Sequence, residues 1–192
     1  DTTWSRGLGD VYKRQVGLTA VLELSRLGFS VLSIEKYRPQ KGPFDLNTYI
    51  RNVSISHASH ELLARYIDLP VQYASEFGSM VVWEDSGTEV LRFEAQDAGR
   101  DKLGWVFEVT PLQEALWRKV ESLENAELLY GEIDAIDLTS GGVRVQFGSR
   151  EISVRFAVAA DGAASSVKSA LKVRTKVWSL GDAALATVIQ SR

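Results

Sequence analysis

From Gly17 to Leu27 the chain reads GLTAVLELSRL, with charges only at Glu23 and Arg26. A run apolar around most of its circumference predicts a largely buried helix. Gly28 then supplies a natural helix stop. Ser30–Glu35 (SVLSIE) is short, mostly apolar and β-branched, which predicts a buried strand. A loop carrying Pro39, Gly42 and Pro43 follows, and residues 57–67 (HASHELLARYI) read as helix. Met80–Trp83 and Glu89–Phe93 flank Asp85-Ser86-Gly87, a hairpin signal. Thr110 predicts a helix N-cap, with Pro111 in the first turn and Gln113 completing a capping box, and that helix runs to about Leu123. Strand-like segments lie at 127–138, 143–147 and 151–160, and Ala164–Leu171 reads as helix after the Asp161-Gly162 turn. A βα start, a later helix and a meander returning to the sheet predict an α/β chain with an inserted β-rich region.

The first fifteen residues, DTTWSRGLGDVYKRQ, show no apolar periodicity, and Val16 opens abruptly into the patterned helix. The codons GAT-GTG-TAT-AAG-AGA-CAG spell Asp10–Gln15 and match the end of a transposon-based sequencing adapter. Residues 1–15 are therefore expected to be translated adapter without a stable place in the fold, with genuine sequence starting at or next to Val16.

Composition narrows the function classes. Of 192 residues, 45% are hydrophobic and 24% charged, the mixture of an ordinary globular protein. A net charge of -3 gives no electrostatic footprint for nucleic acid. The absence of cysteine excludes disulfides, thiolate chemistry and cysteine metal sites. No apolar run is long enough to span a membrane. His57 and His60, spaced i, i+3 without a carboxylate pair nearby, make a poor metal site and are expected to be solvated or capping. The five tryptophans are scattered and read as core and interface residues.

One constellation carries chemistry. A dinucleotide site places a glycine-rich turn between a strand and a helix whose N-terminus faces the pyrophosphate, and an acidic residue ending the next strand takes the ribose hydroxyls. Gly17 stands at the third glycine position, and Glu35 closes the following strand 18 residues later. The first two glycine positions hold Tyr12 and Arg14, inside the adapter-like stretch. Gly7-Leu8-Gly9 follows no strand and lies too far from the helix.

From Val16 onward, VGLTAVLELSRLGFSVLSIEK resembles the ADP-binding unit of FAD-dependent aromatic hydroxylases, in particular their ubiquinone-biosynthesis branch. Tyr49–Ser59 (YIRNVSISHAS), Ser79–Phe93 with Leu103–Leu116, and Phe156–Leu171 (FAVAADGAASSVKSAL) resemble three later segments of that branch, in the same order. The resemblance implies a Rossmann-like FAD-binding domain with an inserted β-rich substrate domain, both incomplete. The FAD-binding portions would be 16–45 and 100–171, the substrate-domain portions 46–99 and 172–192. It implies FAD as cofactor and NAD(P)H as co-substrate. O2 would then form a flavin C4a-hydroperoxide that hydroxylates an electron-rich ring, most simply a polyprenylphenol. No catalytic acid–base side chain is implied, since the flavin carries the chemistry.

Residue by residue, Gly17 would let the first helix approach the pyrophosphate and Glu35 would bind the adenosine ribose. Arg51 would lie near the flavin side of the pyrophosphate, and Asp161 with Gly162 where a strand meets the cofactor phosphates. Val109 departs from the branch, which carries a polar residue there, and the later Gly-Asp motif is not reached, because Gly181-Asp182 follows Asp161 too soon and Leu185–Ile189 reads as strand. The partners implied are a small aromatic substrate drawn from a membrane, no nucleic acid, and peripheral membrane or multi-enzyme association; the location implied is cytoplasmic, at the inner membrane. A reductase or halogenase on the same FAD domain, or a non-catalytic nucleotide-binding remnant, stands as the alternative.

Overall fold

A computed structural model describes residues 10–36, 52–83, 87, 89–162, 165–176 and 178, with side chains from Gln15 onward. In chain order, helix α1 (Asp10–Arg26) precedes strand β1 (Val31–Glu35); β2 (Asn52–Ser56) and α2 (His57–Ala64) follow. Next come β3 (Ala74–Phe77), β4 (Ser79–Trp83), β5 (Val90–Glu94), β6 (Gly104–Glu108) and α3 (Val109–Glu121). The described elements end with β7 (Ala126–Tyr130), β8 (Ala135–Thr139), β9 (Gly142–Phe147), β10 (Arg150–Val154) and α4 (Ser166–Ala170). The chain divides into two compact units, Asp1–Lys41 with Leu116–Leu185, and Gly42–Ala115 with Ala186–Arg192.

In the first unit β1 and β7 pair in parallel, Val31 opposite Ala126 and Glu35 opposite Tyr130. Leu18, Val21 and Leu22, at helical spacing on α1, are buried. The helix ends in a Schellman motif: Gly28 has φ +85, Phe29 N donates to Leu24 O at 3.1 Å and Gly28 N to Ser25 O at 3.0 Å. Asn125 then staples this turn to β7, donating from Nδ2 to Ser25 O and Phe29 O, both at 2.9 Å. β8, β9 and β10 form an antiparallel meander in the order β10-β9-β8. Its core is Ile136, Val143 and Val145, with Ile34, Ile152 and Leu171 packed against it.

In the second unit β6 lies between β2 and β3, antiparallel to both. Ile55, Leu63, Trp105 and Phe107 are buried there. β4 and β5 form the predicted hairpin, Met80 opposite Phe93 and Trp83 opposite Val90.

Several boundaries differ from the sequence reading, each for an identifiable reason. α1 starts at Asp10 rather than Gly17: Asp10–Val16 holds neither glycine nor proline, and lysine, arginine and glutamine extend a helix readily. Residues 1–9 lie outside the described residues. α3 begins at Val109, directly after β6, so Thr110 sits inside the helix rather than capping it, and Gln113 is buried. The run 127–138 splits into β7 and β8 at Gly131, whose φ of +150 breaks the strand. The run 151–160 stops at Val154 as β10, because its apolar tail packs elsewhere: Phe156 meets Phe29 edge-on at 5.6 Å.

His57 and His60 are not merely solvated. His60 stacks on the buried Trp105 indole at 3.9 Å between ring centroids, His57 meets it edge-on at 4.9 Å, and the His57 Nε2–H donates to Lys102 O at 2.7 Å. Trp105 and Trp117 are core residues, whereas Trp83 and Trp178 lie exposed.

Candidate cofactor site

Glu35 is the last residue of β1, half-buried, and its strand end is fixed from both sides. Gly131 N donates to Glu35 O at 2.9 Å, and the neighbouring Lys36 pairs with Glu132. Gly17 lies on the face of α1 above this strand end: a methyl group built on it would stand 3.7 Å from Glu35 Oε1 and 3.7 Å from Ala160 Cβ. Phe156 meets Phe29 just before β1, and Ala160 meets Gly17 beside the end of β1. Residues 156–160 therefore pass from beside Phe29 to beside Gly17, and Asp161 follows Ala160 directly. The chain brings Gly17 and Glu35 together with Ala160, the residue before Asp161, although they are far apart in sequence.

Asp161 accepts from the Ser165 hydroxyl at Oδ1, and at Oδ2 from Ser166 Oγ and Val167 N, each at 3.2 Å. Partial burial pushes this carboxyl up, but the bonds from Ser165, Val167, its own backbone N–H and Ser166 outweigh that effect and hold it below the ordinary aspartate value. Gly162 follows with φ +78, a conformation suited to glycine. The two serines escaped the sequence reading, although their signal was present: hydroxyls four and five residues after an Asp-Gly turn commonly satisfy a helix start.

Three expectations fall outside this picture. Arg51, the loop with Pro39, Gly42 and Pro43, and Gly181-Asp182 with Leu185–Ile189 lie outside the described residues. Among the described residues no cluster of histidine and acidic side chains could hold a metal ion, and no helix is long and apolar enough to cross a membrane.

The residues present fit one end of a dinucleotide and not the other. A carboxylate at the carboxyl end of a parallel strand, beside a helix glycine, suits ribose hydroxyls. The pyrophosphate needs a helix N-terminus beside that glycine. Here α1 continues past Gly17 to Asp10, which sets its N-terminus about 10 Å further along the axis. The 3.7 Å clearances also show that Gly17 is not demanded by packing, since they are ordinary van der Waals contacts.

In fold, the chain is similar to FAD-dependent monooxygenases. It matches a probable FAD-dependent monooxygenase, PqsL from Pseudomonas aeruginosa, with TM-score 0.59 and 18% identity over 86% of this chain and 44% of that one. The flavin-dependent monooxygenase PieE, solved with FAD and substrate, matches with TM-score 0.53 and 23% identity over 85% of this chain and 30% of that one. In sequence, the chain is similar to 3-demethoxyubiquinol 3-hydroxylase of Escherichia coli (strain K12), 26% identical over 180 residues. That alignment covers 91% of this chain but 46% of the relative, so the chain spans about half the relative's length. No family model matches the chain. The structural likenesses, at 18% and 23% identity, show the fold alone.

Proposed function

We propose that the protein to which residues 16–192 correspond is an FAD-dependent monooxygenase that hydroxylates an electron-rich aromatic ring, with a polyprenylphenol of ubiquinone biosynthesis as substrate and NAD(P)H as reductant. The observation that carries this reading is the meeting of Gly17, Glu35 and the Ala160–Asp161 turn at the end of a parallel strand. Support for the substrate class comes from the similarity to the 3-demethoxyubiquinol hydroxylase. In this reading Glu35 holds the adenosine ribose, Gly17 faces the pyrophosphate, and Asp161 with Gly162 borders the cofactor phosphates. Arg51 approaches the pyrophosphate from the flavin side. Residues 16–45 with 100–171 are the FAD-binding domain in this reading, and 46–99 with 172–192 belong to the inserted substrate domain. When bound, the flavin supplies oxygen activation; the protein supplies binding, orientation and exclusion of water. A substrate of this class resides in a membrane, so peripheral attachment to the inner membrane or to partner enzymes follows.

The test is a chimera in which residues 16–192 replace the matching half of the Escherichia coli hydroxylase. The expected result is a yellow protein with NAD(P)H-dependent O2 uptake coupled to ring hydroxylation, and loss of flavin on Glu35→Ala. A folded, colourless chimera would overturn the reading. Flavin reduction without a hydroxylated product would point to a reductase, and a halogenated product to a halogenase.

A further inference from the structure

Helix α4 closes in a Schellman motif: Val173 N donates to Lys168 O at 2.9 Å and Lys172 N to Ser169 O at 3.1 Å. The residue that turns the chain is Lys172, at φ +53, and no other non-glycine residue among the described residues has a positive φ. α1 ends in the same motif on Gly28, which adopts this conformation without steric cost. Lysine at such a position keeps its charge against a backbone preference for glycine. A side chain held at an outlier of this kind points to a role outside the fold.

The charge has neighbours of its own sign. Between Asp161 and Asp182 the sequence holds four basic residues, Lys168, Lys172, Arg174 and Lys176, and no acidic one, in a chain whose net charge is -3. Lys172, Arg174 and Lys176 are exposed, and among the described residues they make no ion pair. Two large apolar side chains stand exposed among them, Val173 at 53% and Trp178 at 68%. Lys176 Nζ lies 6.0 Å from the Trp178 ring centroid, so ammonium and indole share one side of the chain. Unpaired cations suit an anionic surface, and exposed aliphatic and indole groups gain from the headgroup boundary of a bilayer, where tryptophan collects. Three exposed cations on a net acidic chain are too few for a nucleic-acid footprint.

We propose that Lys172–Lys176 together with Trp178 form a contact for an anionic lipid surface. Lys172, Arg174 and Lys176 meet the headgroups, and Val173 and Trp178 enter the boundary beneath them. The proposal deepens the reading of a membrane-resident substrate and rests on that reading for its purpose. Vesicle binding needs neither flavin nor substrate, so the two fail separately.

The test is co-sedimentation of the 192-residue chain with vesicles of phosphatidylcholine alone, and of equal parts phosphatidylcholine and phosphatidylglycerol. Binding is expected to the mixed vesicles only, falling as salt is raised, because exposed charges are screened. Lys172→Gly, Arg174→Gln and Lys176→Gln are each expected to weaken it roughly fivefold, and Trp178→Ala to weaken it as well. Lys172→Gly discriminates best, because glycine relaxes the turn. The thermal midpoint should stay at or above the parent's while binding falls, a split that no folding defect produces. Arg100→Gln removes an exposed charge in the second unit and is expected to leave binding unchanged.

Absence of salt-sensitive binding to the mixed vesicles, an equal loss from Arg100→Gln, or tighter binding to a polyuridine oligonucleotide than to the vesicles would overturn the assignment. If the chimera described above is yellow and active while these vesicle results fail, the contact falls and the functional reading stands. A colourless chimera beside vesicle binding that obeys the variants would reverse that outcome.

Discussion

At Gly142 a methyl group would meet the Val154 carbonyl oxygen at 2.2 Å, whereas at Gly17 the nearest atoms stand 3.7 Å away. The two glycines belong to the same unit and mark two regions of different tolerance. The meander of β8, β9 and β10 encloses its own core, turns at Gly142 with φ +139, and is followed by an aspartate that accepts three hydrogen bonds. The leading half of α1 is looser. Val16 is 66% exposed and the buried Gln15 Nε2 has no hydrogen-bond partner. The meander and the Asp161 turn have the closure expected of a finished structure. The leading part of α1, beside the Glu35 carboxylate, does not.

The largest effect is expected at the tight end. Gly142→Ala combines a backbone conformation unsuited to alanine with a backbone clash, and should cost about 2–5 kcal/mol, read as a lowered urea midpoint. A variant as stable as the parent would show that the meander yields more than its contacts imply.

Asp161→Asn comes next, at about 1–3 kcal/mol near neutral pH, since it leaves buried donors poorly matched. The sign of its pH dependence follows from the lowered carboxyl value in the folded chain. The contribution is complete above the unfolded aspartate value, about 3.9, and is lost as pH falls through the lower folded value. The gap between parent and variant should therefore narrow on acidification, and a gap that widens would contradict the hydrogen bonds at Asp161.

Gly17→Ala should move stability the other way by a smaller amount. Gly17 lies mid-helix with room for a methyl group, so alanine is expected to stabilise by about 0.5–1 kcal/mol. Destabilisation would mean that the looseness assigned to α1 is misplaced.

This contrast also explains what could be read from the amino-acid order. The Gly28 stop, the β4–β5 hairpin and the Glu35 strand end were legible because each depends on a few adjacent residues. The start of α1 was not, since residues without a fold of their own can still extend an existing helix when their propensity permits. The end of β10 was equally hidden. VRFAVAAD is one apolar run by pattern, yet Val154 completes the meander while Phe156 packs on Phe29, a partner more than a hundred positions away. The nearness of Gly17 to Glu35 was legible through spacing and resemblance, whereas the serine network around Asp161 emerged only from the coordinates.

If Glu35 holds the adenosine ribose as proposed, this chain offers that contact without a helix N-terminus at Gly17 for the pyrophosphate. One charge-assisted hydrogen bond contributes about 1.5–3 kcal/mol, well short of the ~8 kcal/mol that micromolar affinity requires. The direct measurement is the visible absorbance of the purified 192-residue chain, followed by titration with FAD. A colourless protein with no saturable binding at micromolar FAD is expected; stoichiometric flavin carried through purification would contradict the loss of the pyrophosphate cradle.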